Sequence, residues 1–302
     1  VSRRGWVLFL AMSAIWGVPY LLIKVAVGEF SPVVVVFLRC LIGAVLLLPW
    51  TLTRGHLGPA LRRHWRALLV FTVLEMTMPW LLLSWAEQQL SSSLTGLLVA
   101  GVPFVAALTA RLAGEDDRLS PVRVAGMGIG VVGIAVLLGL DIGGGQWTAI
   151  GAVVLVVIGY ATAPMVISRK LPDVPGVTAS AFALVVTAVV YAPFAVPRLV
   201  QQDDAPADAW LSVVALGVVC TAVALALFFA LIREVGPQRA LVITFVNPAV
   251  AVLLGVLLLD EPFTLGLAVG LPLVLVGCVL ATRRDDPRTA PSELAGVDTA
   301  VP

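Results

Sequence analysis

The chain has 302 residues, 60% apolar and 12% charged, with a mean hydropathy of +1.05 and a formal net charge of +1. Soluble domains carry about 25% charged residues, so this composition excludes a soluble domain on a single anchor and describes a polytopic membrane protein. The near-neutral balance lacks the basic footprint of a nucleic-acid binder.

Apolar runs separated by short polar breaks predict ten membrane-spanning helices. They cover about 6–24, 32–50, 66–85, 93–112, 121–140, 147–168, 176–197, 210–232, 239–259 and 264–282. The breaks carry turn chemistry: Gly28-Glu29-Phe30-Ser31-Pro32, Gly143-Gly144-Gly145, Leu171-Pro172-Asp173 and Asp260-Glu261-Pro262. The first run follows Ser2-Arg3-Arg4 and resembles a signal peptide, but it ends at Lys24 without a cleavage site and recurs later as part of a repeat. The tail from Arg283 is polar, holds Pro287 and Pro291, and is expected to be disordered. Cys40, Cys220 and Cys278 lie inside apolar runs and read as small core residues, not as disulfides or metal ligands.

Charge predicts the orientation. With a cytoplasmic N-terminus, the inside segments hold Arg3, Arg4, Arg54, Arg62, Arg63, Arg66, Arg111, Arg118 and Arg123 in the first half. In the second half they hold Arg169, Lys170, Arg233, Arg239, Arg283, Arg284 and Arg288. Only Lys24 and Arg198 fall outside, and Arg39 falls within the second span. A bias sustained over successive loops predicts that both termini are cytoplasmic.

The two halves match at an offset of 145 residues: Pro19 with Pro164, Lys24 with Arg169, Pro103 with Pro248, Leu108 with Leu253, and Asp116 with Glu261. Five spans per half is an odd number, so the second copy is expected to be inserted upside down. The expected units are a first five-helix repeat over 1–142, an inverted second repeat over 143–283, and a cytoplasmic tail over 284–302. The fold class is an all-α membrane protein. Inverted repeats are a common plan of secondary transporters, with the substrate held near mid-membrane between the repeats. Repeated architectures also occur in membrane proteins that do not transport.

Several motifs resemble a known family. Ile15-Trp16-Gly17-Val18-Pro19-Tyr20-Leu21-Leu22-Ile23-Lys24, Ser31-Pro32 and Phe37-Leu38-Arg39 stand in the first half. Phe245-Val246-Asn247-Pro248, Leu253-Leu254-Gly255 and Asp260-Glu261-Pro262-Phe263 stand in the second. Together they are similar to the EamA-type transporters of the drug/metabolite transporter superfamily. The resemblance implies ten helices, an inverted five-plus-five repeat, and a central cavity lined by the first, third and fourth helices of each half. It also implies movement of small organic metabolites or drugs, often outward. Three departures stand out. Cys40 follows Arg39 where the family has Phe. Val102 and Asn247 replace the usual Glu before the membrane proline. Glu75 lies outside the family pattern, and its repeat mate is Cys220.

Glu75 is the leading candidate. It is the one acid deep in an apolar run, where an ionised carboxylate costs roughly 2.5–3.5 kcal/mol. It is expected to carry a proton, to counter a substrate amine, or to sit protonated against a hydroxyl or carbonyl. Pro79, one turn on, lacks the N–H that Glu75's carbonyl would accept and is expected to kink the helix. Trp16 and Tyr20, at i,i+4, would share one face and stack on a ligand or simply pack. Tyr160 and Thr162 occupy the equivalent part of the sixth span, and Trp80 is a candidate cavity wall. Asn247 would bond substrate or backbone freed by Pro248, and Arg39 would hold a substrate carboxylate or serve structure.

Gly128-x-Gly130-x-x-Gly133 matches a dinucleotide fingerprint in letters only. It lies inside an apolar span with no preceding strand. Gly126, Gly130 and Gly133, with Gly266 and Gly270, instead form small-residue faces for helix packing or a homodimer. The Arg62-Arg63-His64-Trp65-Arg66 cluster would set topology or meet anionic lipid heads. His56 and His64 have no thiol or acid partners for zinc or catalysis, so no metal or cofactor is expected.

The sequence therefore predicts a multi-pass transporter of the inner or plasma membrane. It would move a small organic metabolite or drug by alternating access, with export and proton coupling through Glu75 as the finer expectation. The alternatives are a non-transporting assembly or receptor subunit, and an intramembrane enzyme. The enzyme would need clustered ionisable groups, and the spans offer only Glu75 and Arg39 besides cysteines and tyrosines.

Overall fold

The computed structural model describes residues 2–112, 120–141, 146–202, 204–236, 240 and 243–281. The tail over 284–302, the Gly143–Gly145 turn and Asp116 lie outside the described residues. Among the described residues the chain consists of helices joined by short turns, with no strand. The helices are α1 (Arg3–Gly17), α2 (Pro19–Glu29), α3 (Pro32–Thr53), α4 (Leu57–Thr72), α5 (Met78–Ala86), α6 (Ser92–Val99) and α7 (Val102–Leu112). They continue as α8 (Pro121–Asp141), α9 (Trp147–Lys170), α10 (Gly176–Val200), α11 (Ala207–Gly217), α12 (Ala224–Val235), α13 (Ile243–Leu258) and α14 (Leu265–Ala281). A π-helical turn, Val73–Thr77, joins α4 to α5, and a second, Val218–Val223, joins α11 to α12.

Among the described residues eight continuous or composite helices are long and apolar enough to cross a bilayer, from Arg3–Glu29 to Ala207–Val235. Two shorter apolar helices follow, Val246–Leu258 and Leu265–Ala281. Start signals are local. Ser2 accepts from the Gly5 N–H at 3.0 Å, Ser91 accepts from Leu94 N–H at 3.1 Å, and Pro32 opens α3 where a missing N–H costs nothing.

The interruptions have chemical causes. Pro19 divides α1 from α2, and Pro103 follows the Ala100–Gly101 break between α6 and α7. The buried Ala100 carbonyl accepts from the Cys278 thiol at 3.3 Å. So Cys278 bonds a helix break as well as filling the core. The polar stretch before the third span, expected to be a loop, is partly helical. Leu57 onward forms a turn that joins the span across a kink at His64 (φ −128°, ψ 17°).

Glycine lets the two halves approach. A methyl on Gly277 of α14 would meet Gly130 Cα of α8 at 2.5 Å, and one on Gly133 would meet the Val274 backbone nitrogen at 2.9 Å. The small-residue faces are thus used inside the molecule, α8 against α14. Likewise a methyl on Gly96 of α6 would meet Ala251 Cβ of α13 at 2.6 Å.

Polar contacts gather at the two ends of the bundle. At one end Lys24, Glu87, Leu90, Ser92, Ser93 and Glu261 meet, with Gln146 on the Gln89 carbonyl (3.0 Å) and Gln202 on the Glu29 carbonyl (3.4 Å). At the other, Ser2 donates to Glu234 (2.5 Å), Arg63 pairs with Asp173 (3.8 Å) and Arg123 donates to the Ala281 carbonyl (3.2 Å).

Candidate functional site

The two π-turns lie at the centre of the bundle and at the same place in each half. Val73 and Val218 are 145 residues apart, as are Glu75 and Cys220. Each turn is widened for its own reason. In the first, the Met78 N–H reaches back five residues to the Val73 carbonyl, and Pro79 follows immediately. Proline's ring crowds the carbonyl four residues back, and the wider turn relieves that crowding. A plain kink was expected beside Glu75; the chain instead inserts a π-turn that contains it. In the second, no proline follows. The Thr221 hydroxyl donates to the Leu216 carbonyl at 2.8 Å, five residues back, and takes up backbone the widening exposes.

Each π-turn is held by the second helix of the other half. From α3, Arg39 Nε donates to Thr221 Oγ1 at 2.9 Å. From α10, the Tyr191 hydroxyl donates to the Thr77 carbonyl at 2.8 Å, and Thr187 shares a 2.8 Å hydroxyl–hydroxyl bond with Thr77. Sequence reading missed Thr221, Thr187 and Tyr191. Thr221 alone had a signal, the offset, since it lies beside the repeat mate of Glu75.

Arg39 is buried, and its guanidinium carbon sits 3.7 Å from the centre of the Trp80 ring. A desolvated cation over an indole face is worth about 2 kcal/mol. Both contacts keep Arg39 inside the bundle, between the two halves. Tyr160 of α9 lies where Glu75 and Arg39 both act on its hydroxyl, beside Trp80. Tyr20 is buried near Tyr160 and Arg39 and lies over Gly96. Glu75, Trp80, Tyr160, Arg39 and Tyr20 are therefore brought together. Glu75 is half-buried, and among the described residues its carboxylate has neither a hydrogen bond nor a cation.

The other candidates lie apart. Trp16 packs on Phe228 of α12, ring centres 4.6 Å apart, in a separate apolar cluster. The Thr162 hydroxyl donates within its own helix, to the Ile158 carbonyl at 2.8 Å. Asn247 bonds backbone. With its amide nitrogen turned to the two nearest carbonyls, it donates to Ile243 at 2.9 Å and to Ser13 of α1 at 3.2 Å.

This arrangement of two matched half-bundles has known counterparts. The model of the EamA-like transporter family matches residues 3–139 and again 147–283, once per half. The chain belongs to the EamA-like transporter family. It is 29% identical over 252 residues to the inner membrane transporter YedA of Escherichia coli strain K12, covering 81% of this chain and 79% of that protein. The same match is found in the O157:H7 strain. A solved crystal structure has the same fold, with a TM-score of 0.66 at 21% identity over 93% of this chain and 98% of that one.

Within this EamA-family chain, the motif residues have structural partners. Lys24 Nζ donates to the Glu87 carbonyl at 2.7 Å and the Leu90 carbonyl at 2.8 Å, tying α2 to the turn after α5. Glu261 accepts from the Ser92 N–H at 2.6 Å, the Ser93 N–H at 3.0 Å and the Ser93 hydroxyl at 2.5 Å. A carboxylate on those free N–H groups is the favourable pairing for a helix N-terminus. Gly255 leaves the room: any side chain there would strike Glu261 and Ser93.

Proposed function

We propose that the chain is a secondary transporter of the inner membrane. It has ten spans in two inverted sets of five and cytoplasmic termini, and it works by alternating access. The polar contacts support the alternation of the spans. Every pair at the Lys24 end joins segments that the charge bias places outside, and every pair at the Ser2 end joins segments that it places inside. The substrate is a small organic metabolite or drug carrying an amine, moved outward in exchange for protons.

One observation carries this reading. Glu75 sits in a widened turn at the meeting of the halves, without a hydrogen bond or cation among the described residues. A carboxyl so placed is costly when charged and alone, and its charge is tolerated when an ammonium group arrives. Proton and substrate then compete for one group. The Arg39–Trp80 pair is where a flat or anionic part of the substrate would rest.

The test is proton movement in vesicles. The purified protein is screened by thermal melting against a panel of metabolites and drugs, and a stabilising compound marks a ligand. Proteoliposomes with an internal pH dye then report proton movement when that compound is added. Wild-type protein moves protons with the compound, and Glu75→Gln moves the compound only down its own gradient, with no dye response. An unchanged dye response in Glu75→Gln overturns coupling through this residue. Absence of compound flux in both overturns the transporter reading.

A further inference from the structure

A second buried acid lies at the outer end, where Glu87 follows α5. It is 0% exposed, and among the described residues neither carboxyl oxygen has a hydrogen-bond partner. The neighbouring groups are occupied. Lys24 bonds the backbone carbonyls of Glu87 and Leu90, not the carboxyl. Glu261 is committed to the start of α6. The groups that act on Glu87 are Lys24 and Tyr20 from α2, Arg39 from α3 and Glu261 from the turn before α14.

We propose that Glu87 is a proton-operated latch on the outer end of the transporter. Protonated, it lies dry under the closed outer contacts; ionised, it requires water and drives them apart. The inference rests on the alternating-access reading given above. A buried carboxylate with no hydrogen bond is strongly disfavoured, whereas the neutral acid is tolerated. Burial pushes the Glu87 carboxyl well above the ordinary carboxylate range; Lys24 opposes this, and Glu261 adds to it.

The sign follows from linkage. The closed form holds the proton more tightly than the wet, open form, so acid favours closure. As pH rises past the ordinary carboxylate value of about 4.3, the open form gains progressively, up to the raised value of the closed form. The same contacts that Glu87 governs, Lys24 to the turn and Glu261 to α6, are those that seal this end. An outer end that closes on taking a proton from outside and opens on returning it there is gated by the outside pH, and net proton movement stays with Glu75.

Spin labels at Gln88 and Phe263, both exposed on the flanks of these contacts, read the opening as a distance distribution in purified protein without substrate. As pH is raised from about 4.3, the ordinary carboxylate value, the wild type shifts from a short to a longer distance. Glu87→Gln stays short throughout, and Glu87→Asp keeps a pH response. A wild-type distribution that does not change with pH overturns the latch, as does a Glu87→Gln protein that retains the wild-type shift. Flux failures report on Glu75 and the substrate. Label distances report on Glu87, so each reading can fail alone.

Discussion

At the scale of single residues, the centre is held by contacts that substitutions can separate. Arg39 is a planar cation on Trp80 with one directed bond to Thr221. Lysine keeps the charge and loses both the stack and the Nε bond. Arg39→Lys is expected to lower stability by roughly 1–2 kcal/mol, measured by melting in detergent, and to lose substrate stabilisation. Asn247 supplies two bonds to backbone, one of them across to α1. Asn247→Ala is expected to cost about 0.6–1.7 kcal/mol in a detergent unfolding titration, the range found for hydrogen bonds between membrane helices. Glu75 was legible in the sequence because an acid in an apolar run is rare. Glu87 was not, because it stands beside Gln88 and Gln89 and looks like an interfacial loop residue. Its burial comes from α2 and the Glu261 turn folding over it, which no local pattern announces.

At the scale of elements, the fit of α8 against α14 depends on absent side chains. A methyl on Gly277 would meet Gly130 Cα and the Gly126 carbonyl oxygen at 2.8 Å, so the backbones must separate. Gly277→Ala is expected to destabilise by about 1–3 kcal/mol, while Gly128→Ala, with open space around it, leaves the melting temperature unchanged. A comparable loss in both would show that the effect is lipid contact, not this interface, since helix propensity favours alanine at either site. Gly255→Ala would press on Glu261 and Ser93 and is expected to raise the share of open outer ends in the spin-label measurement. Helix existence was readable from hydropathy, and breaks from prolines. The π-turns were not. Proline predicts disruption near Glu75 without its form, and Val218–Val223 is followed by no proline to betray its turn.

At the scale of the whole molecule, the halves are bound through one another. α3 lies on α10, α6 crosses α13, α8 lies along α14, and each π-turn takes its bonds from the other half. Segments 2–141 and 146–281 expressed separately are therefore expected to be recovered only as aggregates. Co-expression is expected to yield a complex that elutes with the intact protein; a monodisperse half alone would contradict this. The offset of 145 made this architecture legible, because Pro19 with Pro164 and Pro103 with Pro248 recur at that spacing. Both copies keep the widened turn, yet only one has a carboxylate in it, Glu75 against Cys220. The centre is therefore alike in backbone and unlike in charge: one half brings an acid to its widened turn where the other brings a thiol, so a matched scaffold presents two different chemistries.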